Sequence, residues 1–204
     1  MTLCIAAQCV RSEADQSQLI ALCADRKVVQ GNTSAETGSK VKWPVPGHWM
    51  AMLAGNVSHS TELIEIYRHC LIEGGIPAES NILEKLRIGL STYQHRRAEQ
   101  HVKCRIAMPY EYFLENGKSN LPEGLFFEMQ DWIANPPDEE RFDLIVAGFT
   151  ESRSRIFSVS SSDGVSEETD DYLCRTAFLC KARHTVGSAV NHRSTFYLSS
   201  PDRR

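Results

Sequence analysis

Two short apolar runs, Leu19 to Ala24 and Trp49 to Ala54, stand out near the start of the chain, each bounded by turn-forming residues. Asp25 stops the first; Pro44, Pro46 and Gly47 precede the second, and Gly55 closes it. Runs of this length between such punctuation predict buried strands. Thr2 to Val10 is short, apolar and rich in strand-forming residues, so it reads as a strand paired with Leu19 to Ala24 across the polar excursion Arg11 to Gln18. The period then changes. Val57, Leu63, Ile64, Tyr67, Cys70 and Leu71 fall on one face of a helix over Ser58 to Glu73, with Ser58 and Ser60 as candidate N-caps and Gly74-Gly75 as the stop. A longer helix follows over Ala78 to Lys103, with Leu83, Leu86, Leu90 and Tyr93 on its apolar face and His95-Arg96-Arg97 turned to solvent.

Met108 to Pro137 is irregular but carries Tyr110, Tyr112, Phe113, Phe126, Phe127 and Trp132, so it reads as a packed insertion with one short helix at Leu125 to Ala134. Exposure of these aromatics would mark a partner surface; burial would make them local core. Phe142 to Phe149 and Arg155 to Ser160 predict a hairpin, and Ser161-Ser162-Asp163-Gly164 a turn. Ala189 to Ser199 predicts a last helix before Pro201. Strands, two helices, then strands is an α+β order. With no repeats or composition breaks, residues 1–204 read as a single domain with an aromatic-rich insertion at about 105–138.

A length of 204 residues supports one substantial core. The formal charge of −4 and a pI near 6.0 come without a basic stripe, which argues against nucleic acid as partner. The apolar runs are too short to span a bilayer, and MTLCIAAQCVR lacks the basic n-region of a signal peptide, so a cytoplasmic protein is expected. The seven cysteines form no CxxC pair and sit mostly in apolar runs, which predicts reduced, buried thiols. The histidines show no metal-ligand spacing, so neither a metal nor a cofactor is expected. Asn32-Thr33-Ser34 and Asn56-Val57-Ser58 match the glycosylation sequon by chance in such a chain.

Four stretches in register carry a family resemblance. ALCADRK with GNT and SKVKW, MAMLAGN before a helix, DLIVAGFTESRSRIFSVSSSDG (Asp143 to Gly164) and HTVGSAV (His184 to Val190) resemble the peptidase subunits of proteasomes. They also resemble the related bacterial ring peptidases of the HslV and ancestral-β-subunit types, all N-terminal-nucleophile hydrolases. The resemblance implies a four-layer αββα sandwich, here with a shortened C-terminal part. It also implies a threonine-type peptidase in a homo-oligomeric ring, acting on peptide or unfolded protein, with any ATPase unfoldase on a separate chain. By position it assigns Thr2 as nucleophile, Asp25 and Lys40 as its charged support, the Gly55 N–H as oxyanion donor and Ser188 as support for the terminal amine.

The chemistry such a site needs is specific. A threonine hydroxyl needs a base, and a free α-amino group, with a pKa of roughly 7.7–8.0, supplies one only if Met1 is removed. A lysine beside it favours the alkoxide and lowers the amine's pKa, and an aspartate keeps the lysine placed and charged. Each residue also has an ordinary reading: Thr2 a terminal strand residue, Asp25 a turn residue, Gly55 a turn glycine, Ser188 a helix cap, with Lys42 competing with Lys40. The family continues well beyond the Gly-Ser motif, and its later loop carrying an Asp and a Ser has no counterpart in SSPDRR. A non-catalytic structural subunit and an N-terminal-nucleophile amidase acting on a small amide therefore stand as alternatives.

Overall fold

The two apolar runs fold as central strands of two different sheets. A computed structural model describes residues 4–10, 18–25, 28–30, 33–35, 40–72, 81–150, 153–168, 175–179 and 193–199. β1 (Cys4–Val10) and β2 (Gln18–Asp25) form an antiparallel pair running from Cys4↔Ala24 to Val10↔Gln18. β10 (Arg175–Leu179) adds to β1 and β11 (Arg193–Ser199) to β2, giving a four-stranded sheet in the order β10-β1-β2-β11. β3 (Val28–Gln30) and β4 (Thr33–Ala35) make a small separate ribbon. The second sheet is five-stranded and antiparallel: β5 (Val41–Val45), β6 (Trp49–Gly55), β7 (Phe142–Phe149), β8 (Ser154–Ser160) and β9 (Gly164–Glu167), in chain order.

β6 reads as continuous apolar sequence because both of its faces are covered. Successive side chains of a strand point to opposite faces. Trp49, Ala51 and Leu53 join a core with Phe142, Leu144 and Val146 of β7 beneath the helices. Met50 and Met52 turn the other way and pack with Ile145, Ala147 and Phe149 against Cys4, Ala6, Ile20, Leu22 and Ala24 of the four-stranded sheet. The described residues thus stack a helical layer and two sheets. Each large side chain buried in these cores contributes about 1.5–3 kcal/mol.

The helical layer is α1 (Val57–Ile72) and α2 (Ile82–Ile106). α1 buries Leu63, Ile64, Tyr67 and Leu71 as its spacing predicts, but Val57 is exposed. α2 buries Ile82, Leu86, Leu90 and Tyr93. Gly89 lets the two helices meet closely: a Cβ there would stand 2.6 Å from the Tyr67 ring.

The insertion holds two helices where the sequence suggests one. α3 (Tyr110–Asn120) and α4 (Glu123–Ala134) each start directly after a proline, Pro109 and Pro122, whose fixed φ suits a helix entry. Phe113, Phe126 and Met129 close with Val102 of α2 into a third core, while Tyr112, Leu114 and Phe127 are exposed. The aromatics thus divide between local core and surface. The expected C-terminal helix is also corrected. Residues 193–199 form β11, with Phe196 opposite Leu22 and Leu198 opposite Ile20 in the register. RSTFYLS is rich in β-branched and aromatic residues, and pairing with an open edge of β2 suits them better than a helix.

Of the cysteines whose side chains are described, Cys4 is buried, Cys23 and Cys70 are half-buried, and Cys104 is exposed, so the expectation of buried thiols fails at Cys104; none of these four is in a disulfide. No helix among the described residues is long and apolar enough to cross a membrane.

Candidate functional site

Four strand ends gather at one corner of the molecule. Cys4 opens β1 and pairs with Ala24, one residue before Asp25 at the end of β2. The Cys4 Sγ donates to the Leu53 carbonyl on β6 at 3.5 Å, two residues before Gly55. The Leu53 N–H in turn donates to the Lys40 carbonyl at 3.0 Å, immediately ahead of β5. The backbone at Ala24–Asp25, Lys40 and Leu53–Gly55 is therefore tied to the start of β1. Thr2 and Ser188 lie outside the described residues, as does the side chain of Asp25, whose backbone pairs in register with Arg193.

Lys40 is 5% exposed, one of four buried polar or charged residues among those described. Burial of an ammonium is costly unless acceptors surround it, so a lysine is kept in such a place for its charge or its hydrogen bonds. Lys42 lies within β5, opposite Ala51, and is only half-buried. Lys40 directly precedes the strand, its carbonyl still accepting from the Leu53 N–H, and the two lysines differ in burial.

Gly55 is held in a left-handed conformation, φ +85°, and a Cβ there would stand 2.5 Å from the Arg141 carbonyl oxygen and 2.8 Å from the Phe142 Cα. Both requirements demand glycine. Phe142 donates its N–H to Ser161 Oγ and accepts from Ser161 N–H, so its backbone groups face β8 rather than β6. Gly55, opposite Phe142, is then in a non-hydrogen-bonded pair, and its N–H leaves β6 on the same edge as the Leu53 N–H that binds Lys40. α1 starts two residues later, and its positive end favours negative charge nearby.

Asn56 fixes this turn, and the sequence reading missed it as a cap. Its Oδ1 accepts from the N–H groups of Ser58 (3.0 Å) and His59 (3.2 Å), while its Nδ2 donates to the Glu139 carbonyl. Asn56, not Ser58 or Ser60, caps α1; Ser60 is buried and donates back to the Asn56 and Val57 carbonyls. The signal was present as asparagine directly before the first helical residue.

Behind this turn lies a charged cluster. Arg97 donates to Glu140 at 2.6 Å, so it is not solvated as its place in a polar run suggests, and His59 Nε2 stands 4.0 Å from the same carboxylate. Burial lowers the pKa of His59 below its ordinary 6.5, and Arg97 adds to this, opposed by Glu140 and Glu62. Burial also lowers that of His101, whose ring stacks on Trp132 at 3.5 Å. The unfolded chain therefore binds more protons than the folded one as pH falls through 6.5. Stability is expected to be level above about pH 6.5 and to fall below it. Urea midpoints between pH 7.5 and 5 check this, and His59→Gln with His101→Gln should flatten the slope.

No family model and no curated protein matches the sequence. Solved structures do match in fold. One is a mutant Anbu from Hyphomicrobium sp. strain MC1, at TM-score 0.51 and 13% identity over 89% of this chain and 62% of that one. Another is Anbu (ancestral beta-subunit) from Yersinia bercovieri, at TM-score 0.50 and 13% identity over 86% and 60%. This chain spans about three fifths of their length. The match corrects the affiliation suggested by the sequence motifs: these structures are ancestral β-subunits, and placement with the proteasome β-subunits proper or the HslV type is withdrawn. At this identity the likeness establishes the fold: the chain is an α+β protein whose described architecture is similar to that of the ancestral β-subunits.

Proposed function

We propose that this chain is a cytoplasmic, threonine-type peptidase subunit of a self-assembling, proteasome-like particle, with its fold completed as a four-layer αββα sandwich. The observation that carries the reading is the convergence of strand ends just described. The Cys4 thiol's hydrogen bond to Leu53, the Leu53–Lys40 backbone bond and strand pairing link the start of β1 to the Leu53 end of β6, to Lys40 and to Ala24–Asp25. Thr2 is two residues from Cys4 in sequence, a span of at most about 7 Å of extended chain, which supports placing the nucleophile at that corner.

In this mechanism, with Met1 removed, the α-amino group of Thr2 takes the proton from its own hydroxyl as the Oγ attacks the peptide carbonyl carbon. The oxyanion forms at the Gly55 N–H, near the positive end of α1. Collapse breaks the C–N bond, the leaving amine takes the proton, and an acyl ester remains on Thr2. Water, deprotonated by the same amine, hydrolyses the ester and frees the enzyme. Lys40 lowers the cost of the alkoxide, Asp25 orients Lys40, and Ser188 supports the amine. Assembly into a homo-oligomer is supported by the fold likeness to proteins described as β-subunits.

Lys40→Met tests the reading, since methionine fills a buried lysine's volume without its charge. Hydrolysis of a fluorogenic peptide panel should fall at least about a hundredfold in kcat, with the circular dichroism spectrum retained. Hydrolysis by the variant at the wild-type rate would remove Lys40 from the mechanism. A wild-type protein that cleaves only small amides would favour the amidase, and one that cleaves neither would favour a structural subunit.

A further inference from the structure

A cleft of about 430 Å³ opens on the helical side of the five-stranded sheet, between α2, α4 and the turn joining β7 to α4's end. Among the described residues neither Lys40 nor Gly55 lines it, although its lining residues Arg141 and Phe142 back onto Gly55, and the inference does not depend on the peptidase proposal. Its volume lies in the range of small-molecule sites, roughly 300–1,000 Å³.

The walls are mixed, and among the polar and aliphatic residues stand three large rings, Tyr93, Tyr110 and Trp132. Two of them are braced from behind or beside, Trp132 by its parallel stack on His101 and Tyr110 by an edge contact with His95 at 5.1 Å between ring centres. Flat, braced rings suit a flat ligand.

The polar groups come in both senses. Gln94 donates its nitrogen to the Ser161 carbonyl at 3.3 Å, and Asn135 donates its nitrogen to Asp131 at 3.0 Å. Each amide keeps its oxygen as an acceptor and a second N–H as a donor. Arg97 and Arg141 line the cleft as donors, and a guanidinium carries five N–H groups. Their charges are already met, Arg97 by Glu140 at 2.6 Å and Arg141 by Asp138 at 3.0 Å. The cleft therefore offers acceptors and donors without an excess of either charge.

Braced aromatic side chains, mixed donors and acceptors, and local neutrality together select a class. A phosphate or carboxylate would find its cations already paired, and a purely apolar ligand would leave the amides unused. We infer that this cleft binds an uncharged planar heteroaromatic of the nucleobase or nucleoside class. The ring stacks against the aromatic side chains, and its edge is read by the amides of Gln94 and Asn135 and by the guanidiniums of Arg97 and Arg141.

Calorimetric titration of the full chain with adenosine, guanosine, uridine and adenosine monophosphate tests this. At least one nucleoside should bind saturably at one per chain, and the monophosphate no tighter than adenosine. Ser91→Trp, at an exposed position on the cleft rim, should weaken binding at least tenfold, and Asn135→Ala several-fold, both with unchanged thermal melting. Absence of saturable binding by any nucleoside to folded wild-type protein would overturn the inference. So would binding indifferent to Ser91→Trp, or monophosphate binding tenfold tighter than adenosine, which would show recognition of the anion rather than the ring.

Discussion

Replacing Thr2 by alanine is expected to lower peptide hydrolysis at least about a thousandfold while leaving the fold intact. Alanine keeps the terminal amine and the backbone but removes the only oxygen that attacks. Residual turnover would come from substrate positioning and the oxyanion donor acting on water, which falls several powers of ten short of covalent catalysis. Stability should scarcely move, because one hydroxyl at a chain terminus contributes little to a protein whose cores are built from β6, β7, α1 and α2. The measurement is kcat on a fluorogenic peptide, with sedimentation of the same samples to follow assembly. Unchanged hydrolysis in Thr2→Ala would exclude Thr2 as nucleophile. Hydrolysis and assembly lost together would point instead to a structural role for the terminus.

A large loss of stability is expected on substituting Gly55. Alanine there must adopt φ +85°, and its Cβ would press to 2.5 Å on the Arg141 carbonyl and 2.8 Å on the Phe142 Cα. Both obstacles are backbone in the neighbouring strand and the loop before it, so neither can rotate aside. Left-handed strain of about 1–2 kcal/mol plus the overlap should cost roughly 3 kcal/mol in all. For a chain of this size that lowers the melting temperature by roughly 6–12 °C. Gly47→Ala is the control. Its φ is +78°, but nothing lies within 4 Å of the added atom, so only the strain remains, and the drop should be roughly 2–8 °C and smaller than at Gly55. Equal melting of the two variants would show that the approach of Arg141 to Gly55 is not the constraint the geometry implies.

The cores were legible in the sequence where burial is two-sided or strictly periodic. The run WMAMLAG stays apolar throughout because its odd residues face the helices and its even ones face the other sheet. Leu63, Ile64, Tyr67 and Leu71 repeat at helical spacing because one face of α1 meets that sheet. Legibility failed where a distant partner decides. Arg97 sits in a run of charges, yet its partner Glu140 is 43 residues away on another element. The last strand reads as a helix although Thr195, Phe196 and Tyr197 favour a strand, because the open edge of β2 that receives it is far away in sequence. In the insertion, Gly117 looks like a helix breaker but is buried in α3, where a Cβ would stand 2.9 Å from the Phe113 ring.

The candidate site divides along the same line. Gly55 and Asn56 follow local rules of turn and cap, and the geometry explains them fully. Lys40 and Lys42 are two residues apart, and only the tertiary structure distinguishes the buried one from the half-buried one.

The central claim is that the chain begins, after processing, with a free and activated Thr2. Intact mass of the purified protein, before and after treatment with a peptide epoxyketone, tests it most directly. The account predicts a mass lower by one methionine residue and a single covalent adduct that Thr2→Ala abolishes. A protein that retains Met1 and takes up no adduct would contradict it.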